Sequence, residues 1–138
     1  MLARDMMHDG AECVGEHASM QDVAVRMRDL DVGCMPICGD DDKLHGIITD
    51  RDIVLRCCAE GRDPATMTAG EMAQGTLVWI SADATEDQVL ALMTRNRIKR
   101  LPVIDDGRLV GMISEADVAR HLSDDKVAQM AEAIYADR

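Results

Sequence analysis

The chain is written twice. HASMQDVAVRM (17–27) aligns with DATEDQVLALM (83–93), and the same offset sets Ala3-Arg4-Asp5-Met6 on Ala69-Gly70-Glu71-Met72. Met35-Pro36-Ile37 falls on Leu101-Pro102-Val103, and after one extra loop residue GIITDRDIV (46–54) falls on GMISEADVA (111–119). An internal repeat constrains the fold more than any local pattern. Each copy, at about 60 residues, is marginal as a folding unit, so the two halves are expected to fold together. The reading is a first unit over 1–63, a second over 64–122, and a tail over 123–138 with no counterpart.

Both copies predict the same order of elements. Ser19 and Thr85 have the character of helix N-caps, with Asp22 and Gln88 three residues on. The helices that follow place Met20, Val23, Ala24, Met27 and Leu30 on one face, and Val89, Leu90 and Met93 in the second copy. Short apolar runs come next, MPIC (35–38) and LPVI (101–104). Acidic turns separate them from return strands over 44–49 and 109–114. Cys13-Val14 and Leu77 to Ile80 supply a first strand, and a second helix follows each return strand at once. Gly61 is the C′ residue of the second helix in the first copy. Pro36 and Pro102 are expected at a strand start or an edge rather than in a central ladder. The tail carries Val127, Met130, Ala131 and Ile134 on one helical stripe behind Ser123.

Composition excludes several classes. The formal net charge is −11, which argues against a general phosphate-backbone binder and against an anionic membrane surface. With no Phe, one Trp and one Tyr, stacking platforms for single strands are missing. The longest apolar run, Val89 to Met93, is too short to span a membrane. The N-terminus has no apolar stretch of signal-peptide length, which predicts a cytoplasmic protein. Eleven Met are expected to fill the core in place of Phe. Five Cys, an odd count without a secretion signal, favour reduced thiols.

The turn from return strand to helix carries the sharpest chemical signal. It reads Gly46-Ile47-Ile48-Thr49-Asp50-Arg51-Asp52 in the first copy and Gly111-Met112-Ile113-Ser114-Glu115-Ala116-Asp117 in the second. A hydroxyl at a helix start suits an anion such as phosphate, and a carboxylate one turn on suits a ribose diol. The same pair also serves as a capping box that satisfies only the helix's own N–H groups. Arg51 aligns with Ala116, so local positive charge in the second copy falls to Lys99 and Arg100, which align with Gly33 and Cys34.

Two copies of strand–helix–strand–strand–helix, each with hydrophobic-Pro-hydrophobic and then G-h-h-[S/T]-x-x-D, resemble a CBS domain pair, or Bateman module. The resemblance covers residues 3 to about 122. CVGEH (13–17), PICGDDDKLHG (36–46) and TDRDIV (49–54) add a narrower likeness to small stress-response members of that family. It implies an α+β fold of two β-α-β-β-α units related by a pseudo-twofold, plus a C-terminal helix. It implies clefts between the copies that take adenosine compounds: AMP, ADP, ATP or S-adenosylmethionine. Thr49 and Asp52 would belong to one cleft, Ser114 and Asp117 to the other. Met35, Pro36 and Ile37, and Leu101, Pro102 and Val103, would line the base pockets, with Val14 and Val78 completing the walls. Arg51, Lys99 and Arg100 are the candidate phosphate contacts.

Cys13, His17, Cys38 and His45 occur only in the first copy. They suit tetrahedral zinc, a disulfide between Cys13 and Cys38, or ordinary packing. Of Cys57 and Cys58, one is expected in the core and one at an interface. Three functions compete. One is a stand-alone regulatory nucleotide-binding module without catalysis, working as a homodimer through an unidentified downstream protein and requiring no cofactor. Another is a stress-response interaction protein with empty clefts and a dimer held by cysteine or zinc chemistry. The third, an enzyme, is disfavoured because the repeated motif assembles no nucleophile, base and oxyanion donor.

Overall fold

The computed structural model describes residues 1–10, 12–73 and 77–136. The chain forms two compact units, one contiguous (Glu12–Leu77) and one split (Met1–Ala11 with Val78–Arg138). In the contiguous unit, β2 (Val14–Gly15) runs parallel to β3 (Cys34–Cys38), which pairs antiparallel with β4 (Leu44–Thr49). The helix α2 (Met20–Leu30) lies between β2 and β3 in sequence; α3 (Asp50–Asp52) follows β4 and continues as a π-helical stretch, Ile53–Cys58. The split unit has the same series: β5 (Ile80–Ser81), α4 (Glu86–Asn96), β6 (Arg100–Asp105), β7 (Arg108–Ser114) and α5 (Glu115–His121), followed by α6 (Asp124–Tyr135). Its sheet also takes in β1 (His8–Asp9), antiparallel to β7, which gives the order β1-β7-β6-β5.

The repeat in the sequence and the compact units divide the chain differently. Met1–Ala11 packs with the second copy, and the stretch up to Leu77 packs with the first, instead of dividing at 63/64. The cause is a pair of exchanged short helices. In α1 (Ala3–Met6) the N–H groups of Ala3 and Arg4 donate to the carbonyls of Ala84 and Ala82. Its counterpart, the 3-10 turn Ala69–Met72, donates from Ala69 and Gly70 to Ala18 and Glu16. Donors and acceptors in the two sets are equivalent positions of the repeat. Both short helices carry an acid at the third position, Asp5 or Glu71, that accepts from the backbone N–H of Leu2 or Thr68. Ala3, Met6, Ala69 and Met72 are buried, so the exchange supplies core to both units.

Helix starts follow the sequence. Ser19 and Thr85 accept from the N–H groups of Asp22 and Gln88, and the Gln88 side chain accepts in turn from the Thr85 N–H. Met20, Val23 and Met27 are buried on α2, and Val89 and Met93 on α4. Ala24 and Leu30 are exposed, against expectation: the 3.6-residue repeat carries them off the narrow face that meets this small sheet. Nine of the eleven Met are buried, so Met fills the core in place of Phe. On α6, Met130 and Ile134 join the core of the split unit behind the Ser123 cap.

The prolines correct an expectation. Pro36 pairs with Ile47 and Pro102 with Met112, each within the central strand of its sheet. A missing N–H is tolerated there because the flanking first strands are short and begin pairing only at Ile37 and Val103. Beside each proline the central strand is locally an edge.

Candidate functional site

In the contiguous unit β4 ends at Thr49 and α3 begins at once. The Thr49 hydroxyl accepts from the Asp52 N–H at 3.1 Å, and the Asp52 carboxylate accepts from the Thr49 N–H at 2.9 Å. The Asp50 N–H donates to the Gly33 carbonyl at 2.9 Å, and the Arg51 N–H to the Asp50 carboxylate at 2.8 Å. The first three N–H groups of the helix, the donors that were to hold an anion, therefore bond within the chain. Asp52 is half-buried and uses Oδ2 in the box; among the described residues Oδ1 has no hydrogen bond. Arg51 is exposed beside it. Cys34 lies opposite Thr49 in the β3–β4 register, where Arg100 lies opposite Ser114 in the second copy.

The split unit repeats the box and adds to it. The Ser114 N–H and hydroxyl donate to Asp117 Oδ2 at 2.8 and 2.9 Å, and the Asp117 N–H donates to the Ser114 hydroxyl at 3.3 Å. His8 Nδ1 lies 2.8 Å from the same Oδ2, and Arg120 donates to Oδ1. Asp117 is only 1% exposed, the one charged residue buried to this degree among those described. Burial pushes its carboxyl up; the Ser114 N–H, His8 and the Ser114 hydroxyl outweigh that and hold it below the usual carboxylate range. The Glu115 N–H donates to the Lys99 carbonyl at 3.2 Å. The Lys99 ammonium lies 4.5 Å from the Tyr135 ring centroid, and the Tyr135 hydroxyl donates to Glu115 at 3.1 Å. Arg100 turns back to the Lys99 carbonyl at 3.0 Å. The sequence reading missed His8, Arg120 and Tyr135, which lie outside the repeated motif.

The motif glycine has a reason of its own. A Cβ on Gly111 would come within 2.6 Å of Met7 Sδ and 2.7 Å of the His8 carbonyl oxygen. A Cβ on Gly46 would meet Ala73 Cα at 2.9 Å. Met7 and Ala73 are equivalent positions of the repeat, and each follows an exchanged helix. The glycine is the place where that segment crosses the return strand.

The expected pocket walls lie in the cores. Met35, Ile37 and Val14 belong to the core of the contiguous unit; Leu101 and Val103 belong to that of the split unit, with Val78 packed against it. Pro36 and Pro102 are buried beside them.

Cys13 and Cys38 form a disulfide, Cα–Cα 5.7 Å. The preference for reduced thiols is corrected for this pair: parallel pairing of β2 with β3, Gly15 opposite Cys38, brings the two together. Cys34, Cys57 and Cys58 are thiols, with Cys57 in the core and Cys58 exposed. The proposed tetrahedral set of Cys13, His17, Cys38 and His45 is thus not assembled, because both sulfurs are bonded to each other. Glu16, His17 and Asp40 converge instead, their donor atoms all within 4.8 Å of one another. His17 Nε2 is 3.2 Å from Asp40, and His45 lies 3.6 Å from Glu16 and 2.9 Å from Asp41. One imidazole and two carboxylates are a donor set that fits zinc. Among the described residues no helix is long and apolar enough to cross a membrane.

The repeated glycine-hydroxyl-acid turn on paired β-α-β-β-α units is matched by the CBS domain model at residues 3–57 and again at 69–124, and the chain belongs to the CBS-domain family. Within it, the chain is 48% identical over 132 residues to Hypoxic response protein 1 of Mycobacterium tuberculosis (strain H37Rv), covering 96% of this chain and 92% of that protein. It is similar to the crystal structure of Hypoxic Response Protein I with two coordinated zinc ions, at a TM-score of 0.81 and 48% identity over 89% of this chain and 100% of the other. It is also similar to the CBS domain pair of protein MJ0100 in complex with 5′-methylthioadenosine and S-adenosyl-L-methionine. There the TM-score is 0.77 and the identity 26%, over 87% of this chain and 94% of that one.

Proposed function

We propose that this protein is a regulatory CBS-pair protein that takes an adenosine-type ligand, AMP, ADP, ATP or S-adenosylmethionine, at the Thr49–Asp52 motif. The observation that carries this reading is Asp52: half-buried, one turn from Thr49, with one carboxylate oxygen open to accept a ribose hydroxyl. Arg51, exposed beside it, supplies positive charge for a phosphate in a chain of net charge −11. That another CBS pair is complexed with two adenosine compounds supports the ligand class. The role is signalling rather than catalysis, passed on through a homodimer or a downstream protein. A ligand can shift such an arrangement only by its differential affinity for the two states. Val25, Leu30, Val32, Val54 and Leu55 of the contiguous unit, all exposed, are apolar side chains available to such a partner.

Thermal denaturation with each adenosine compound, on reduced and metal-free protein, tests the reading. A ligand at about 100 times its dissociation constant adds roughly 2.7 kcal/mol of stability, and Asp52→Asn is expected to abolish the shift. No shift with any of them at millimolar concentration refutes it.

A second reading is favoured by the Glu16–His17–Asp40 cluster and by the zinc ions of the 48% identical relative. Here the protein is a stress-response interaction protein whose first copy is stabilised by zinc. Bound zinc would supply electrostatic cross-linking of β2, β3 and the loops beside them. Glu16, His17 and Asp40 would hold it, joined by His45 or, after reduction, by Cys13 and Cys38. Metal analysis of wild type against His17→Ala and Asp40→Ala decides it, with equal zinc content in all three counting against it.

A further inference from the structure

The two motifs share their capping geometry and differ in what else holds the acid. Asp52 accepts one hydrogen bond and keeps an oxygen open. Asp117 accepts on both oxygens: Oδ2 from the Ser114 N–H, the Ser114 hydroxyl and His8, and Oδ1 from Arg120. A carboxylate offers about four acceptor sites, two on each oxygen; three donors crowd Oδ2, and Oδ1 is shared with Arg120. A ribose diol needs two of those sites and would have to displace charge-assisted bonds to take them.

His8 is not a loose side chain that happens to fall there. Its backbone pairs with Met112 in the sheet, and the crossing is close enough that a Cβ on Gly111 would force a shift. At the other end of the motif Tyr135 engages both Lys99, the cation assigned to a phosphate, and Glu115. The first copy has no tail to supply such a residue.

We propose that the Ser114–Asp117 motif is occupied by the chain itself, with His8 and Arg120 standing where a sugar diol would. An adenosine-type ligand then binds at Thr49–Asp52 alone, and His8 is the residue that decides which of the two motifs binds. The proposal rests on the nucleotide reading above for the identity of the ligand, but not for the contact that blocks it.

Two measurements separate the proposal from that reading. Isothermal titration with AMP, ATP and S-adenosylmethionine, each alone, counts sites. Wild type is expected to bind one equivalent per chain, lost in Asp52→Asn, and the double variant His8→Ala/Arg120→Ala is expected to bind two. Both changed side chains are largely exposed, so the variant keeps its core. Two equivalents in wild type, or one in the double variant, overturns the proposal. The contact itself is read without ligand from the imidazole nitrogen resonances of His8. Asp117→Asn is expected to move them and Asp52→Asn to leave them in place, and unmoved resonances in Asp117→Asn overturn the proposal. If no compound binds wild type or the double variant, the nucleotide reading fails, and with it the assignment of Asp52 as the binding copy.

Discussion

The two acids of the repeated motif are predicted to differ in what they contribute to stability. Asp52→Ala removes one bond to a half-buried N–H that water can replace, at a cost of about 1 kcal/mol. Asp117→Ala removes the same bond at a site that is 1% exposed, leaving the Ser114 N–H without a partner, which alone costs roughly 1–3 kcal/mol. Both variants also lose an acid from the first turn of their helix, worth roughly 0.3–1 kcal/mol. Arg120 and His8, 62% and 53% exposed, rehydrate on release and add little. The total for Asp117→Ala is roughly 1.3–4 kcal/mol, against roughly 1.3–2 kcal/mol for Asp52→Ala. At roughly 4 °C per kcal/mol for a domain of this size, the melting temperature falls by roughly 5–16 °C, against roughly 5–8 °C for Asp52→Ala. Urea denaturation followed by circular dichroism gives the free energies directly. Losses within about 0.5 kcal/mol of each other would show that the burial of Asp117 and its extra partners carry no net stability.

Further predictions follow from the same geometry. The Asp117 carboxyl is held below its ordinary value in the folded protein, so its stability is present above the unfolded carboxylate range and is lost as pH falls through the lowered value. Asp117→Asn is therefore expected to differ most from wild type above about pH 5 and to converge with it in acid, read by urea midpoints across pH; a constant gap at every pH contradicts this. Gly111→Ala drives a Cβ against the His8 carbonyl and is expected to cost about 1–3 kcal/mol, while Gly15→Ala, with nothing within 4 Å, costs little. Met130→Ala on α6 is expected to cost about 2–5 kcal/mol if the tail is core, and a loss under about 1 kcal/mol would make it an appendage. Reducing Cys13–Cys38 opens a loop with a sequence separation of 25, worth about 3.5 kcal/mol in the chain-entropy model. Under denaturing conditions alkylation is expected to label three thiols before reduction and five after, and five before would refute the bond.

The elements legible in the sequence are those whose causes lie within a few residues. The caps at Ser19, Thr85 and Ser123 depend on a side chain and an N–H three positions apart, and the return strand 44–49 needs only alternation and a turn. The repeat extended that local reading to a whole architecture, because two copies of one pattern constrain each other. Even the capping role of Thr49 and Asp52 was legible as one of two uses for the same pair. Ala24 and Leu30 escape such a reading, because helical period alone does not say how wide a face the sheet will cover.

What distinguishes the two acids of the motifs came from tertiary structure. His8 and Asp117 are far apart in the chain, and nothing near either one marks the other as its partner. Cys13 and Cys38 became a pair only when β2 lay parallel to β3, which leaves Glu16, His17 and Asp40 as the converging donor atoms. The exchange of the short helices 3–6 and 69–72 is invisible along the chain, since the local pattern is the same whichever copy a helix packs on. Local bonds follow from residue type and spacing. Which acid is left open and which is sealed depends on segments meeting across the fold, and packing decides that.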